Sequence, residues 1–158
     1  MHLNFVAGCN YVWRLIKIRM RSERETRDKL KSKEFPPDVE EQIIQHFKEI
    51  GQINDSEFAS SWLRSRLAKP LGFRAISIEL KQKGIAKDII EQSIAQAACQ
   101  VDEEGIVRKL AQKRWELYQK RPIEPAKIKN KLYAYLMRRG FKQEIIVDVL
   151  NSIARISL

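Results

Sequence analysis

A short pattern occurs three times along this chain and limits what it can fold into more than any other feature. In each copy a leucine is followed three residues later by a cation and five residues later by an apolar residue. The copies are 50 and 56 residues apart, and a regular period of this length is typical of tandem supersecondary units. The three copies are Leu30-Lys33-Phe35, Leu80-Lys83-Ile85 and Leu136-Arg139-Phe141.

Apolar residues at helical spacing surround every copy and predict an all-α fold. Helices are expected over Tyr11–Arg21, Ser22–Lys33 and from Pro36 to Gly51, then from Asp55, Gly72, Ile85, Asp102, Glu124 and Lys142. They group into three-helix units at 11–51, 52–100 and 101–158, after a variable N-terminus at 1–10. Because one such unit cannot bury its apolar faces alone, we expect the helix-turn-helix-like repeats to stack into an elongated, curved array.

Local signals place several of these helix boundaries. Ser22 and Glu25 have the spacing of a capping box, and Asn54 precedes Glu57 in the same way. Gly84 stands where a helix must stop, because glycine adopts the left-handed conformation without a Cβ clash. In the aligned copies, Val39, Ile89 and Ile145 are expected to share a third buried position.

The charge is strongly basic and unevenly distributed. The chain carries 30 Lys or Arg against 20 Asp or Glu, a net charge of +10, and residues 102–158 hold 13 of those cations against 7 acids. Such a balance favours polyanionic partners, with nucleic acid first and acidic protein or membrane surfaces behind it. The alternative, a charge that only confers solubility, fits the nearly neutral first two thirds better than the last third.

The sequence carries few groups suited to catalysis. His2 and His46 are the only histidines, and no glycine-rich phosphate-binding loop is present. We therefore expect no catalytic residues, no metal and no cofactor. Cys9 and Cys99 lie far apart without further ligands nearby, which indicates reduced thiols and the cytoplasm, and no apolar run is long enough to span a bilayer.

The repeated cations Lys33, Lys83 and Arg139 allow two interpretations. They can stabilise the C-terminal end of the middle helix of each unit, or form a row of charges that follows a polyanion. A second candidate set, around the loop at 69–72, would bring together three guanidinium groups that suit bidentate contacts with phosphate: Arg64, Arg66 and Arg74.

The densest basic stretch lies in the last unit and is interleaved with aromatic residues. Trp62 and Trp115 are expected in the core, whereas Tyr133 is the best candidate for an exposed ring on which a base could stack. The candidate binding residues of this stretch are Lys113, Arg114, Lys127, Lys131, Arg138 and Arg139.

Taken in order, these residues resemble the RecX regulatory proteins, which modulate the RecA recombinase of bacteria. The resemblance covers about 11–150. It rests on Arg21-Ser22-x-x-Glu25-x-x-x-Lys29-Leu30, on Asp55-x-x-Phe58-Ala59-x-x-Trp62-x-x-x-Arg66, on Gly72-x-x-x-Ile76-x-x-Glu79-Leu80-x-x-Lys83-Gly84-Ile85 and on Leu136-x-x-Arg139-Gly140-Phe141.

The resemblance implies a non-enzymatic, monomeric cytoplasmic protein of three-helix repeats that binds the RecA–DNA filament. It would restrain filament extension, ATP hydrolysis and strand exchange in recombination, DNA repair and the SOS response, and bind single- and double-stranded DNA. A basic architectural protein that binds DNA without RecA is the alternative.

Four residues depart from the family pattern. Thr26 stands where leucine is usual and Glu34 where glycine is usual, which concerns the packing and the turn of the first unit. Asn54 stands where aspartate is frequent, and Phe73 where proline is common.

Overall fold

A computed structural model describes the backbone of residues 2–156 and the side chains of residues 4–155, and this part of the chain contains nine α-helices and no strand. The all-α repeat fold predicted from the sequence is thus confirmed. The helices are α1 (His2–Ile18), α2 (Glu23–Lys31), α3 (Pro37–Glu49), α4 (Asp55–Leu67), α5 (Phe73–Gln82), α6 (Lys87–Ala98), α7 (Glu103–Gln119), α8 (Pro125–Arg138) and α9 (Gln143–Ile156). They follow one another as three-helix modules: α1–α3, α4–α6 and α7–α9.

The first helix differs most from its predicted bounds. It was expected over Tyr11–Arg21, but α1 begins at His2 and ends at Ile18. The earlier residues extend the helix because Phe5 and Cys9 pack against the same core as Val12, and these three residues recur at helical spacing. Met1, which belongs to the N-terminus expected to be variable, lies outside the described residues.

The chain divides into two compact units that are not the three modules. Unit 1 comprises Met1–Trp62 and Leu80–Ser93, and unit 2 comprises Leu63–Glu79 and Ile94–Leu158. The helices of the second module therefore contribute residues to both units. The elongated, curved stacking of the modules stays a prediction.

Each unit has its own apolar core. In unit 1, helices α1, α2 and α3 pack on one another around Val12, Leu30, Val39, Ile43, Ile44, Phe47 and Ile53. In unit 2, helices α7, α8 and α9 pack around Val107, Ala111, Trp115, Ile128, Leu132, Leu136, Phe141, Ile146, Val149, Leu150 and Ile153.

The repeated leucine occupies the same environment in all three modules. Leu30, Leu80 and Leu136 are all fully buried, as the pattern predicts. At the second repeated position Ile85 and Phe141 are buried, whereas Phe35 is half-buried.

The third repeated position was assigned wrongly in two of the three modules. Val39 is buried, but Ile89 and Ile145 are only half-buried, and the residues that follow them, Ile90 and Ile146, are buried instead. One residue along a helix turns the side chain by about 100°, so the core-facing position in these modules lies one residue later.

The turns after the middle helices have the predicted left-handed backbone. Gly84 has φ 81° and Gly140 has φ 79°, where a Cβ atom would be unfavourable. The equivalent residue of the first module is Glu34, which adopts φ 58° with a side chain. This residue therefore bears strain that the other two modules avoid.

The predicted helix starts are also present. The Ser22 hydroxyl accepts a hydrogen bond from the Glu25 amide at 3.1 Å, and the Asn54 side-chain oxygen accepts one from the Glu57 amide at 3.0 Å. Thr26, which stands where the family has leucine, is buried and donates its hydroxyl hydrogen to the Ser22 carbonyl at 3.0 Å. The small polar side chain is thus accommodated by bonding to its own helix.

Candidate polyanion-binding site

The positive charge of the chain is concentrated in one of its two compact units. Unit 1 carries 13 Lys or Arg against 12 Asp or Glu and is nearly neutral, whereas unit 2 carries 17 against 8. Nine of the ten candidate binding residues lie in unit 2, and Lys83 alone lies in unit 1. A polyanion would therefore be attracted mainly to unit 2.

In unit 1 the C-terminal end of α5 contacts the N-terminal end of α2, and this contact between two middle helices is called a joint below. It determines the environment of Lys83. At the N-terminal end of α2, the Ser22 hydroxyl donates to the backbone carbonyl of Lys83 at 2.7 Å. The Lys83 ammonium group lies 2.6 Å from a carboxylate oxygen of Glu25 and 4.9 Å from the centroid of the Trp62 ring. The charge of Lys83 is thus paired within the unit.

Glu25 is held as an anion at this joint. Burial alone would raise the pKa of its carboxyl group, but hydrogen bonds from Arg19 and Lys83 outweigh burial and lower the pKa to about 2. The Glu25 side chain is only 16 % exposed, so solvent screens these bonds weakly. The Glu25 carboxylate therefore stabilises the contact between helices, while the Glu25 amide completes the cap of its own helix by donating to Ser22.

Unit 2 contains an equivalent joint with a different electrostatic outcome. At the N-terminal end of α5, the Gly72 amide donates to the Arg139 carbonyl at 2.8 Å, and the Arg74 amide donates to the Gly140 carbonyl at 3.1 Å. The Arg139 side chain does not meet a carboxylate there. Its Nη1 donates to the backbone carbonyls of Lys69 at 3.4 Å and of Pro70 at 3.1 Å.

Arg139 and Arg114 share one aromatic ring. The guanidinium carbon of Arg114 lies 3.8 Å from the centroid of the Tyr135 ring, and that of Arg139 lies 4.9 Å from it. Burial alone would lower the pKa of Arg114, but hydrogen bonding to Tyr118 and Tyr135 outweighs burial and raises the pKa. Two guanidinium groups thus contact the same aromatic ring.

All three repeated cations lie over an aromatic ring of their own unit. The Lys33 ammonium is 5.9 Å from the centroid of the Tyr11 ring. The other two contacts, Lys83 with Trp62 and Arg139 with Tyr135, are described above. These cation–ring contacts were not predicted from the sequence, because in the first two modules the ring lies far from its cation along the chain. An aromatic ring orients a cation without neutralising its charge.

The remaining candidates of the last module have varied environments. Lys131 lies 5.8 Å from the centroid of Tyr118, and Lys127 pairs with Glu124 at 3.0 Å. Lys113 and Arg138 are exposed. Tyr133, expected to present an exposed ring, is instead half-buried and packs against the core of unit 2.

The three arginines predicted around residues 69–72 have different surroundings. Arg66 forms an ion pair with Glu79 at 2.6 Å, whereas Arg64 and Arg74 are exposed. Of the two tryptophans expected in the core, Trp115 is buried but Trp62 is only half-buried and stacks on Phe58. Trp62 is thus a support for Lys83 as well as a packing residue.

Two acidic residues connect modules in a way that sequence reasoning missed. Asp55 begins α4 and accepts a hydrogen bond from the Glu23 amide, the first amide of α2, at 2.8 Å. Glu103 begins α7 and accepts one from the Phe73 amide, the first amide of α5, at 3.4 Å. Proline at position 73 would have no N–H to donate.

Burial changes the acidity of both residues. It raises the pKa of Asp55 and of Glu103, and the bonds from the two amides oppose that shift only in part. From the sequence these acids were assigned only to helix starts. Their shared position, as the first residue of the first helix of a module, was the available signal.

Other kinds of site find little support in the described residues. No group of three or more histidine, cysteine or acidic side chains could hold a metal ion there. Among those residues, none of the helices has the length and apolar character that crossing a membrane requires. Cys9 and Cys99 are free thiols.

All three modules correspond to domains of one family. The first three-helix domain of RecX matches residues 10–47, the second matches residues 54–94, and the third matches residues 102–150. Together these matches span well over half of the chain.

Individual relatives agree with these domain matches. The regulatory protein RecX of Mycolicibacterium smegmatis is 33% identical over 147 residues, which cover 90% of this chain and 77% of the relative. That of Clostridium beijerinckii is 28% identical over 155 residues, with coverages of 98% and 72%. The crystal structure of RecX from Lactobacillus salivarius has a TM-score of 0.86 at 24% identity, and the match covers 96% of this chain and 97% of that one. Because all three domains match and one relative is 33% identical over 90% of this chain, the chain belongs to the RecX family of regulatory proteins.

Proposed function

We propose that this protein is a non-enzymatic regulator of RecA that binds the RecA–DNA filament and restrains ATP hydrolysis, strand exchange and filament extension. One observation carries the proposal: all three modules match RecX domains in order. The role would lie in recombination, DNA repair and the SOS response, with the protein acting as a cytoplasmic monomer.

The uneven charge suggests how such a regulator binds. Unit 2, with 17 cations against 8 acids, would meet DNA or acidic patches of the filament, while the nearly neutral unit 1 would make uncharged or mixed contacts. Tandem modules let several modest contacts add through effective concentration. Contacts at successive points along the RecA–DNA filament would then restrain the movements of the filament that its extension and strand exchange require.

The test is RecA-catalysed ATP hydrolysis on single-stranded DNA, measured while the purified protein is added up to a stoichiometric ratio with RecA. We expect the rate to fall, and strand exchange to fall with it. Unchanged hydrolysis and exchange at stoichiometric amounts would refute the proposed function.

A basic architectural protein that binds DNA without RecA is the second candidate, and the concentration of charge in unit 2 favours it. Binding that depends on 6–10 phosphate contacts should lose roughly 10³–10⁵ in affinity between 50 and 200 mM salt. If binding to the RecA–DNA filament survives salt that abolishes binding to naked DNA, protein contacts support the regulator. Parallel loss of both would support the architectural protein.

A further inference from the structure

The arrangement of Arg114, Tyr135 and Arg139 has a feature that the other basic residues lack. Two guanidinium groups contact one ring, at 3.8 and 4.9 Å from its centroid. Within the described residues neither arginine forms an ion pair with a carboxylate, whereas Lys83, Arg66 and Lys127 each do. Two like charges thus contact one ring without a carboxylate of the described residues as counter-charge.

Much of the hydrogen-bonding capacity of these arginines faces no carboxylate. A guanidinium group has five N–H donors in a fixed plane, and Arg139 directs Nη1 to the carbonyls of Lys69 and Pro70. Arg114 is oriented by its contact with the Tyr135 ring, with its guanidinium carbon 3.8 Å from the ring centroid. Guanidinium groups that are oriented beforehand lose less side-chain entropy when they bind an oxyanion.

We propose that Arg114 and Arg139, positioned by Tyr135, form a two-arginine site for the backbone phosphate of a nucleic-acid strand. The proposal deepens the proposed function, because it assigns the DNA contact of the regulator to named residues. Planar guanidinium groups match the paired oxygens of a phosphodiester, and the phosphate supplies the missing counter-charge.

The surroundings favour a nucleic acid over an acidic protein segment. Lys113 and Arg138 adjoin the two arginines in sequence and are exposed, and Lys131, also exposed, lies over Tyr118. A strand with a phosphate at every nucleotide can use such a continuation of charge. An isolated carboxylate on a protein partner would use the central pair alone.

Arg139 also links the site to the joint of unit 2. Its side chain bonds the carbonyls of residues 69 and 70, and its own carbonyl accepts from Gly72. The anion site and the start of α5 therefore share one residue. Phosphate bound at Arg139 would hold a group that already bridges α8 and the loop before α5.

The experiment measures binding of the full chain to a fluorescein-labelled oligothymidine by anisotropy between 50 and 200 mM salt. Arg114→Gln/Arg139→Gln should weaken binding roughly ten-fold or more at the lower salt, and reduce the slope of log K against log salt by about 1 to 2. The matched control is Lys109→Gln/Arg155→Gln, which removes two exposed charges from the same unit. The control should leave the slope almost unchanged.

A second variant keeps the test decisive if the first one folds poorly. Arg114→Lys/Arg139→Lys retains both charges but loses the planar forks, so we expect the salt slope to be kept while affinity falls several-fold. Circular dichroism melting of every variant establishes that the folded chain is being measured. If the lysine variant bound like the wild type, paired guanidinium recognition would be wrong.

The outcomes separate this site from the proposed function. An unchanged slope in the glutamine variant would overturn the phosphate site, even if the wild-type protein still restrains RecA. If the glutamine variant bound oligothymidine normally but no longer bound the RecA–DNA filament, the phosphate site would also be overturned. The two arginines would then be assigned to contact with an acidic protein surface. If the wild type did not affect RecA, the proposed function would be refuted. The phosphate site would then be tested by the oligothymidine measurement alone.

Discussion

A comparable joint between middle helices occurs once in each compact unit, and the two copies differ in donor and in charge. In both, a carbonyl at the end of one middle helix accepts a hydrogen bond from the start of another: the Lys83 carbonyl from the Ser22 hydroxyl in unit 1, and the Arg139 carbonyl from the Gly72 amide in unit 2. In unit 1 the cation at the joint is neutralised by Glu25, whereas in unit 2 it is held by neutral carbonyls and an aromatic ring. One structural solution thus serves a neutral contact in one place and a charged surface in another.

A single side chain accounts for much of this difference. Glu25 lies in the first turn of α2, and the residue 50 positions later, in the first turn of α5, is Ala75. Without a carboxylate at position 75, Arg139 keeps its charge available. The comparison teaches that the role of a repeated cation depends on the residue opposite it, since both cations stand directly after the end of a middle helix.

The largest expected difference between the joints concerns their glycines. Alanine at Gly84 or at Gly140 should cost about 1–2 kcal/mol, because both have positive φ. At Gly140 the new Cβ would also meet the backbone nitrogen of Ala75, whereas at Gly84 it would meet the flexible side chain of Arg24. We therefore expect Gly140→Ala to cost about 1–3 kcal/mol more than Gly84→Ala.

Urea denaturation followed by circular dichroism measures both glycine variants against the wild type. Equal losses in free energy of unfolding would mean that the backbone at Ala75 shifts away from a new Cβ at position 140 as easily as the Arg24 side chain shifts away from one at position 84. The rigid contact inferred for Gly140 would then be wrong.

Glu25 should make the stability of unit 1 depend on acid pH. The pKa of Glu25 is about 2 in the folded protein, against an ordinary value of 4.5. A lowered pKa gives stability that is present above pH 4.5 and is lost as the pH falls toward 2, with a maximum of roughly 3 kcal/mol. Glu25→Gln should thus be less stable than the wild type at pH 7.

The measurement is the difference in unfolding free energy between the wild type and Glu25→Gln at pH 7, 5 and 3. We expect the difference to shrink by more than half between pH 5 and pH 3. A difference that does not change with pH would show that Glu25 acts by packing and not through its bonds to Arg19 and Lys83.

The smallest expected effect lies in the first module, where no glycine follows the middle helix. Glu34 adopts φ 58°, and Glu34→Gly should relieve strain and raise the free energy of unfolding by about 0.5–1 kcal/mol. Glu34→Ala removes the same charge but keeps the Cβ atom, so it should not stabilise. Thermal melting of the two variants distinguishes backbone strain from charge; equal stabilisation by both would contradict the strain.

The sequence predicts the fold well because the relevant signals are local. The leucine positions, the capping residues Ser22 and Asn54 and the stop at Gly84 each depend on neighbours within a few residues. The assignment failed where neighbouring isoleucines compete for one position, as at Ile89 and Ile90, since periodicity alone does not decide which of two adjacent apolar residues faces the core.

The candidate site was less predictable because it depends on contacts between distant residues. Lys83 and Glu25 are 58 positions apart, and Arg139 and Pro70 are 69 apart. Composition placed the excess charge in the last module, but it did not distinguish paired cations from unpaired ones. It also did not reveal that Tyr135 supports two arginines.

The hydrogen bonds of Asp55 and Glu103 affect how this protein can be cut into fragments. Each acid satisfies the first amide of a helix in the preceding module, at 2.8 Å in one case and 3.4 Å in the other. A fragment that ends between α3 and α4 would lose Asp55 and Lys83 together, and α2 would start with an amide that only water could satisfy. Boundaries drawn at the sequence repeats would therefore separate residues that stabilise each other, and a fragment of unit 1 must extend to residue 93.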